Sequence, residues 1–243
     1  MDKLALMRGK PYHVTDSISI INPTIGQIVD FGEDRYWGML SQLCSTSFDH
    51  RLTLEELGID YLTIDDWHMF LNTRYALKYE DTSIIFPEVN FPELKLYEEE
   101  SSGRLLLRDD SGKIEIDEVV YTLMIEFVRD CHGLQRNYKI PGNQAAREVY
   151  MREAMEAREF AGRRQPKSTL EPLVSALCNS EGFKYNYDTV WRVNIYNFMD
   201  ALKRIQKISS ANHLLGGIYG GMLDTSKMNK GQLNKDLNWM GEL

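Results

Sequence analysis

The chain of 243 residues contains little cysteine, no long apolar run and no excess of positive charge. Its three cysteines, Cys44, Cys131 and Cys178, are far apart and form no C-x-x-C pair, which argues against a zinc site and a disulfide framework. No run of about 18 apolar residues occurs, so we expect no membrane-spanning helix. The first residues lack a signal-peptide core, and we therefore expect a cytoplasmic protein with reduced thiols.

Positive charge is scarce, since 28 Lys and Arg residues face 36 Asp and Glu residues and the formal net charge is −8. Proteins dedicated to nucleic-acid binding need clustered Lys and Arg, so this composition disfavours that class. The most basic stretch, residues 127–167, has nine basic residues against five acidic ones. Because the acids are interleaved with the bases, we interpret it as a solvated helical face, with a nucleic-acid-binding patch as the alternative.

Signatures of catalysis are also missing. None of the five histidines lies in an H-E-x-x-H spacing, and the chain has no G-x-S-x-G motif or Walker-type glycine run. The most suggestive cluster is Asp65, Asp66 and His68, but carboxylates are favoured in the first turn of a helix and His68 has no second ligand four residues on. We interpret the cluster as helix capping, and we expect no enzyme activity, no cofactor and no metal.

The residue pattern predicts an α+β protein that is mainly α-helical. Short alternating segments at 4–8, 12–14 and 17–20 predict small antiparallel strands near the N-terminus. The sequence from Thr24 to Gln27 has the form of a capping box, and the apolar spacing after it predicts one helix that continues to about Cys44.

The clearest strand signal lies at residues 104–117, where apolar and polar residues alternate on both sides of a turn at 109–112 and predict a β-hairpin. Asp117 is placed to cap a helix that continues to about His132. Residues 83–92 contain two prolines, which predicts extended segments at the edge of a sheet rather than a helix.

The chain divides into three predicted units. Residues 1–140 form a mixed α+β domain with its hairpin near 104–117, residues 141–167 a charged helical connector, and residues 168–243 an all-α C-terminal region. The boundary at 165–168 rests on Pro166, which ends the connector helix. In the C-terminal region we predict helices at residues 168–178, 194–208, 210–223 and 230–240.

Two segments of the C-terminal region are unusual. Residues 216–221, Gly-Gly-Ile-Tyr-Gly-Gly, place glycines one helical turn apart, which favours close packing of another backbone. A phosphate-binding loop is the alternative, but it lacks a following lysine and a preceding strand. The aromatic residues between 183 and 191 favour a packed loop over a platform for stacking bases, because few positive charges lie nearby.

The end of the chain has an apolar spacing suited to docking. It fits either the protein's own core or the helix of a partner, and the second interpretation makes it a candidate protein-binding site. The predicted partner-binding residues are Leu233, Leu237, Trp239, Met240 and Leu243.

Four segments together carry a family resemblance. They are residues 23–36 (PTIGQIVDFGEDRY), 57–61 (LGIDY), 179–185 (NSEGFKY) and 237–240 (LNWM). Across nearly its whole length the chain resembles a poorly characterised protein family of tailed bacteriophages and prophages of Gram-positive hosts. The resemblance implies a protein from the tail-morphogenesis region, such as a tail assembly chaperone, and it brings no catalytic residues.

Three functional hypotheses follow. The first is a non-enzymatic assembly factor in the host cytoplasm whose C-terminal helices hold a phage structural protein of the tail, such as a long helical tape-measure protein. The second is a structural subunit of the virion, in its tail or connector, that pairs with neighbours by strand addition at residues 83–92. The third is a phage-encoded enzyme or nucleic-acid-associated protein. Self-association is compatible with each of them.

Overall fold

The computed structural model describes residues 2–161, 167–224, 226 and 228–241. It is a mainly helical α+β protein with two small antiparallel sheets, which confirms the predicted fold class. Its helices are α1 (Lys3–Met7), α2 (Ile25–Phe31), α3 (Glu33–Leu43), α4 (Arg51–Glu56), α5 (Asp66–Thr73), α6 (Tyr79–Thr82), α7 (Glu118–His132), α8 (Gln144–Ala161), α9 (Leu170–Cys178), α10 (Ile195–Tyr219) and α11 (Lys230–Leu237). Its strands are β1 (Tyr12–His13), β2 (Ser19–Ile20), β3 (Lys95–Glu98), β4 (Leu105–Arg108) and β5 (Glu115–Ile116).

The N-terminal segment is partly helical. The predicted strand at residues 4–8 is wrong, because the Asp2 carboxylate accepts hydrogen bonds from the backbone N–H groups of Leu4 (3.0 Å) and Ala5 (3.1 Å) and so starts α1. The next two short strands do pair: β1 and β2 are antiparallel, with Tyr12 opposite Ile20.

The capping box that begins α2 is present as predicted. The Gln27 backbone N–H donates to the Thr24 hydroxyl at 3.2 Å, and the Thr24 backbone N–H donates to the Gln27 side chain at 2.8 Å. The prediction of one continuous helix to Cys44 is wrong. Gly32 has a φ of +100°, which no helix accommodates, so α2 ends there and α3 begins at Glu33.

The starts of α2 and α10 are joined to each other. Thr24 and Asn194, the N-cap residues of the two helices, form an antiparallel bridge. In this bridge Ile25 N–H donates to the Val193 carbonyl at 2.9 Å, and Ile195 N–H donates to the Pro23 carbonyl at 2.8 Å. We call these paired backbone segments, 23–25 and 193–195, the helix-start junction.

Close approach at the helix-start junction depends on glycine. A Cβ atom at Gly26 would lie 2.9 Å from the carbonyl oxygen of Trp191, which is closer than carbon and oxygen atoms pack. Glycine has no Cβ, so the first turn of α2 can rest against the backbone that leads into α10.

The three-stranded sheet contains the predicted hairpin. β4 and β5 are antiparallel, with Leu107 opposite Ile116, and both side chains are fully buried. β3 extends the sheet on the other side of β4 and forms its edge. α7 then begins at the predicted cap, where Val120 N–H donates to the Asp117 carboxylate at 2.8 Å.

Residues 83–92 do not form edge strands, so that prediction is wrong. Ile85, Phe86, Val89 and Phe91 are completely buried in the main core. Burying four large apolar side chains is worth several kcal/mol, roughly 1.5–3 for each, and this outweighs the tendency of proline-containing segments to lie at exposed edges. The exposed edge is β3, whose four residues are all accessible to solvent.

One core connects the N-terminal and C-terminal parts of the chain. Leu170 and Val174 of α9 and Ile195 and Phe198 of α10 are buried in the same cluster as α2, α3 and α7. A second, smaller cluster contains residues of α4 and its neighbours together with Met151 of α8. The charged helix predicted as a connector therefore packs against α4, while the proposed division into three units stays a prediction.

A buried polar pair lies within the main core. The Tyr36 hydroxyl is 2.6 Å from His132 Nε2, and His132 Nδ1 is 2.7 Å from the Val128 carbonyl. Because a carbonyl can only accept, Nδ1 carries the proton and Nε2 accepts from Tyr36. Burial lowers the pKa of His132 to about 4 and raises the pKa of Tyr36 well above its usual value, so both groups stay neutral.

This pair predicts acid sensitivity. The unfolded chain takes up a proton at His132 near the ordinary pKa of about 6.5, whereas the folded chain does so only near 4, so stability is lost as pH falls between these values. From pH 7 to pH 5 the contribution amounts to about 2 kcal/mol. Urea unfolding at both pH values should show this loss in the native chain and a correspondingly smaller one in the matched variant His132→Gln. Equal pH dependence of the two proteins would contradict the assignment.

Candidate protein-binding surface

Helix capping and ion pairing account for the Asp65, Asp66 and His68 cluster. Asp65 is the N-cap of α5 and accepts from the His68 backbone N–H at 2.8 Å, while the His68 ring nitrogen lies 2.8 Å from its other oxygen. Partial burial alone would raise the pKa of Asp65, but the hydrogen bonds from His68 lower it below its ordinary value. Asp66 points away to Arg136, whose Nε lies 2.9 Å from the carboxylate.

Groups suited to metal or thiol chemistry are not assembled in the part of the chain that the structure describes. There, no three His, Cys, Asp or Glu side chains are placed to hold a metal ion. Burial raises the pKa of Cys44 and of Cys131 to about 12, so these thiols stay protonated at neutral pH. None of the helices within the described ranges has both the length and the apolar character to cross a bilayer.

The basic stretch at 127–167 packs onto the N-terminal half of the chain through its arginines. Their partners are the Cys44 carbonyl for Arg129 (2.7 Å), Asp66 for Arg136 (2.9 Å), Asp60 for Arg147 (3.2 Å) and Glu56 for Arg158 (2.8 Å). Residues 162–166 lie outside the described part. These contacts tie four of the nine basic residues to the N-terminal half, and both the solvated face and the nucleic-acid-binding patch stay predictions.

The aromatic loop between 183 and 191 is held from within. The Trp191 indole N–H donates to the Tyr187 carbonyl at 2.6 Å, and the Asn179 amide donates to the Tyr187 hydroxyl at 2.9 Å. Phe183 and Tyr185 stack at an angle, with ring centroids 5.4 Å apart. The loop therefore makes contacts within itself, and Phe183 packs against the main core, but Tyr185, Tyr187 and Trp191 are exposed, so the predicted packing is found only in part.

The glycine-rich segment is the end of a helix. Gly221 has a φ of +71°, Met222 N–H donates to the Gly217 carbonyl at 2.9 Å, and Gly221 N–H donates to the Ile218 carbonyl at 3.1 Å. These two bonds form a Schellman motif, in which glycine supplies the left-handed residue that stops the helix.

Two predictions for this region are therefore wrong. Residues 194–208 and 210–223 do not form separate helices, because α10 runs without a break from Ile195 to Tyr219. Among the residues that the structure describes, no second backbone packs on Gly216 or Gly217 either: a Cβ at Gly216 would meet nothing within 4 Å, and a Cβ at Gly217 would meet the side chain of Leu223. The glycines form a helix end, and their spacing by one turn does not mark a packing interface.

The predicted partner-binding residues lie at the end of a helical hairpin. We use this name, the C-terminal hairpin, for α10 from Lys203 onward together with α11, which packs beside it. Leu233 and Leu237 of α11 are half-buried, whereas Trp239 is 41% and Met240 74% exposed. Leu243 lies outside the described residues.

Arg204 makes the hydrogen bonds that hold the end of the described chain against α10. Its guanidinium donates to the carbonyl of Gly241 at 2.9 Å and to that of Trp239. An arginine offers five N–H donors in a fixed fork, so one side chain can hold two main-chain carbonyls at once. Arg204 therefore fixes the backbone of the last described residues on α10, while the side chains of Trp239 and Met240 stay partly accessible to solvent.

Sequence reasoning missed further apolar residues at the tip of the hairpin. Tyr219 and Met222 are each 85% exposed, and Leu223 is exposed beside them. The sequence feature that could have identified them is their position at a helix end marked by glycine, because few neighbours can cover a side chain there. Large apolar side chains grouped at one exposed place can mark a binding site.

A cleft adjoins the base of the hairpin. It has a volume of about 370 Å³ and lies between α1, α7, α10 and the last described residues. Met7, Met199 and Met240 supply its apolar walls. Methionine is unbranched and flexible, which suits a surface that must adapt to the side chains of another protein.

These features define a mainly helical protein with apolar side chains exposed on its C-terminal hairpin. Residues 163–242, about a third of the chain, match the family model of the YomV second domain, a family associated with phages and prophages. The matched segment contains α9, α10 and α11. Neither a curated protein nor a solved structure matches the chain. The match supports the phage relationship that the resemblance implied.

The helix-end assignment predicts opposite effects for two neighbouring glycines. Gly221→Ala forces a Cβ into left-handed backbone and should destabilise the hairpin by about 1 kcal/mol. The matched control, Gly216→Ala, lies within α10 with open space around it and should stabilise the helix by roughly 0.5–1 kcal/mol. Urea unfolding followed by circular dichroism measures both. Shifts of the same sign and size would contradict the assignment.

Proposed function

We propose that the protein is a non-enzymatic phage morphogenesis factor, a tail assembly chaperone-like protein that binds a tail protein through the C-terminal hairpin. The observation that carries this proposal is the exposure of large apolar side chains at both ends of the hairpin. These are Tyr219, Met222, Leu223, Trp239 and Met240. A protein that holds another chain needs exposed apolar surface. An assembly chaperone of this kind dissociates from its partner once assembly is complete.

The predicted residues take different roles in this proposal. Trp239 and Met240 contact the partner, because their side chains are exposed while Arg204 fixes their backbone. Leu233 and Leu237 are half-buried in α11, which packs beside α10, and they supply further apolar surface next to these anchors. The partner is a long helical tail protein of the tape-measure kind, bound in the host cytoplasm before the tail is complete. Aromatic and methionine anchors of this type dominate the binding energy of many interfaces.

A structural subunit of the virion is the second candidate, and one observation favours it. β3 is the edge of its sheet, its residues are all exposed, and Leu96 and Tyr97 are its large apolar members. An open edge strand can pair with a strand of a neighbouring subunit. This replaces residues 83–92, which are buried, as the segment available for strand addition.

A pull-down from cells that express the phage late genes tests the first proposal. The tagged native chain should recover one long helical tail protein, and the variant Trp239→Ser/Met240→Ser should recover about tenfold less, because it lacks two apolar anchors. The matched control, Leu57→Ser/Val119→Ser, removes exposed apolar residues outside the hairpin and should behave like the native chain.

Mass spectrometry of purified virions completes the experiment. The chaperone-like proposal requires that the chain be absent from virions or present only in trace amounts. A high copy number there would favour the structural subunit. Equal recovery of the tail protein by both variants would contradict the role given to Trp239 and Met240.

A further inference from the structure

The C-terminal hairpin differs in charge from the rest of the chain. Residues 201–243 contain six Lys and Arg residues against three acidic ones, a formal charge of +3, whereas residues 1–200 carry −11. Lys203, Lys230 and Lys235 of the hairpin are exposed. Although the whole chain is acidic, the apolar residues of its hairpin therefore lie among basic residues.

Within the described residues, the hairpin is a pair of helices whose apolar side chains are incompletely covered. Leu214, Leu215 and Ile218 of α10 are only half-buried and belong to neither core cluster, and Leu233 and Leu237 of α11 are half-buried as well. Two packed helices share a single interface, so each keeps part of its apolar stripe open to water. A further helix laid along both would cover these aliphatic side chains.

We infer that the partner element is an acidic amphipathic helix that packs lengthwise on the C-terminal hairpin and completes a three-helix bundle. This inference rests on the proposed function and names the chemistry of the partner. Apolar residues of that helix at a spacing of three and four cover the half-buried stripe of the hairpin. Its Glu and Asp residues lie next to Lys203, Lys230 and Lys235 at the rim, where complementary charge speeds association and fixes orientation.

The aliphatic stripe distinguishes this partner from a nucleic acid. A phosphate backbone would also satisfy the basic residues, but it would leave leucine and isoleucine side chains facing water. Single-strand binding surfaces use rows of aromatic side chains, and the hairpin offers Tyr219 and Trp239 at opposite ends. An acidic amphipathic helix can pair with the basic residues of the hairpin and also cover its aliphatic side chains.

Synthetic peptides test the inference on the full chain. The probe is a labelled helical peptide of about 21 residues, three heptads long, with leucine on one face and glutamate elsewhere. One control peptide replaces every glutamate with lysine, and another scrambles the order of the first. Fluorescence anisotropy should show that the glutamate peptide binds at least about tenfold more tightly than either control and more weakly as salt is raised.

Charge-reversal variants locate the site. Lys203→Glu/Lys235→Glu should weaken binding of the glutamate peptide by about tenfold and gain binding of the lysine peptide, an exchange that mere loss of folding would not produce. The matched control, Lys10→Glu/Lys113→Glu, reverses two exposed lysines outside the hairpin and should bind the glutamate peptide like the native chain.

Three outcomes would overturn the inference. They are failure of all peptides to bind, equal binding of the glutamate and lysine peptides, and tighter binding of a DNA oligonucleotide that Lys203→Glu/Lys235→Glu abolishes. The last would identify a nucleic-acid surface instead. If the native chain still recovers a tail protein through Trp239 and Met240 while the glutamate peptide fails, the partner chemistry is wrong and the proposed function stands.

Discussion

The antiparallel bridge between Thr24 and Asn194 fixes where α10 begins relative to α2. Each residue caps its own helix, and the two backbone hydrogen bonds beside them, at 2.9 and 2.8 Å, make α2 and α10 start at the same place. Ile195 and Phe198 are thereby buried in the core, but α10 continues for 25 residues, about 38 Å. Its second half extends beyond the main core cluster, and in the part of the chain that the structure describes α11 packs beside it. The exposed hairpin is thus a consequence of the junction.

Local signals predicted those elements that are governed by local hydrogen bonds. The capping box at Thr24, the cap at Asp117 and the hairpin near 104–117 depend on residues a few positions apart, and each is present. The failures came from long-range packing. The proline-containing segment 83–92 looked like an edge because proline disfavours sheet interiors, yet its apolar side chains fill the core. No periodicity reveals that Thr24 and Asn194 meet, since they lie 170 positions apart.

The candidate site was predicted in part. Apolar spacing found α11 and its leucines, and the structure adds that Leu233 and Leu237 are half-buried while Trp239 and Met240 remain exposed. Tyr219 and Met222 escaped notice because the glycines around them suggested packing with another backbone, whereas the φ of Gly221 ends the helix there. The opposite charge of the hairpin is visible in the sequence, but it gains meaning only once α10 and α11 are known to pack together.

Native-state hydrogen exchange tests most directly the central claim that the hairpin is fixed at the junction and open beyond it. The amides of Ile25 and Ile195 should exchange slowest, through global unfolding, because their hydrogen bonds close the junction. The amides of α11 and of α10 after Ile208 should exchange much faster, through local opening of a helix pair with few buried side chains. Protection of α11 equal to that of Ile195 would show that the hairpin is part of the core and would contradict the account.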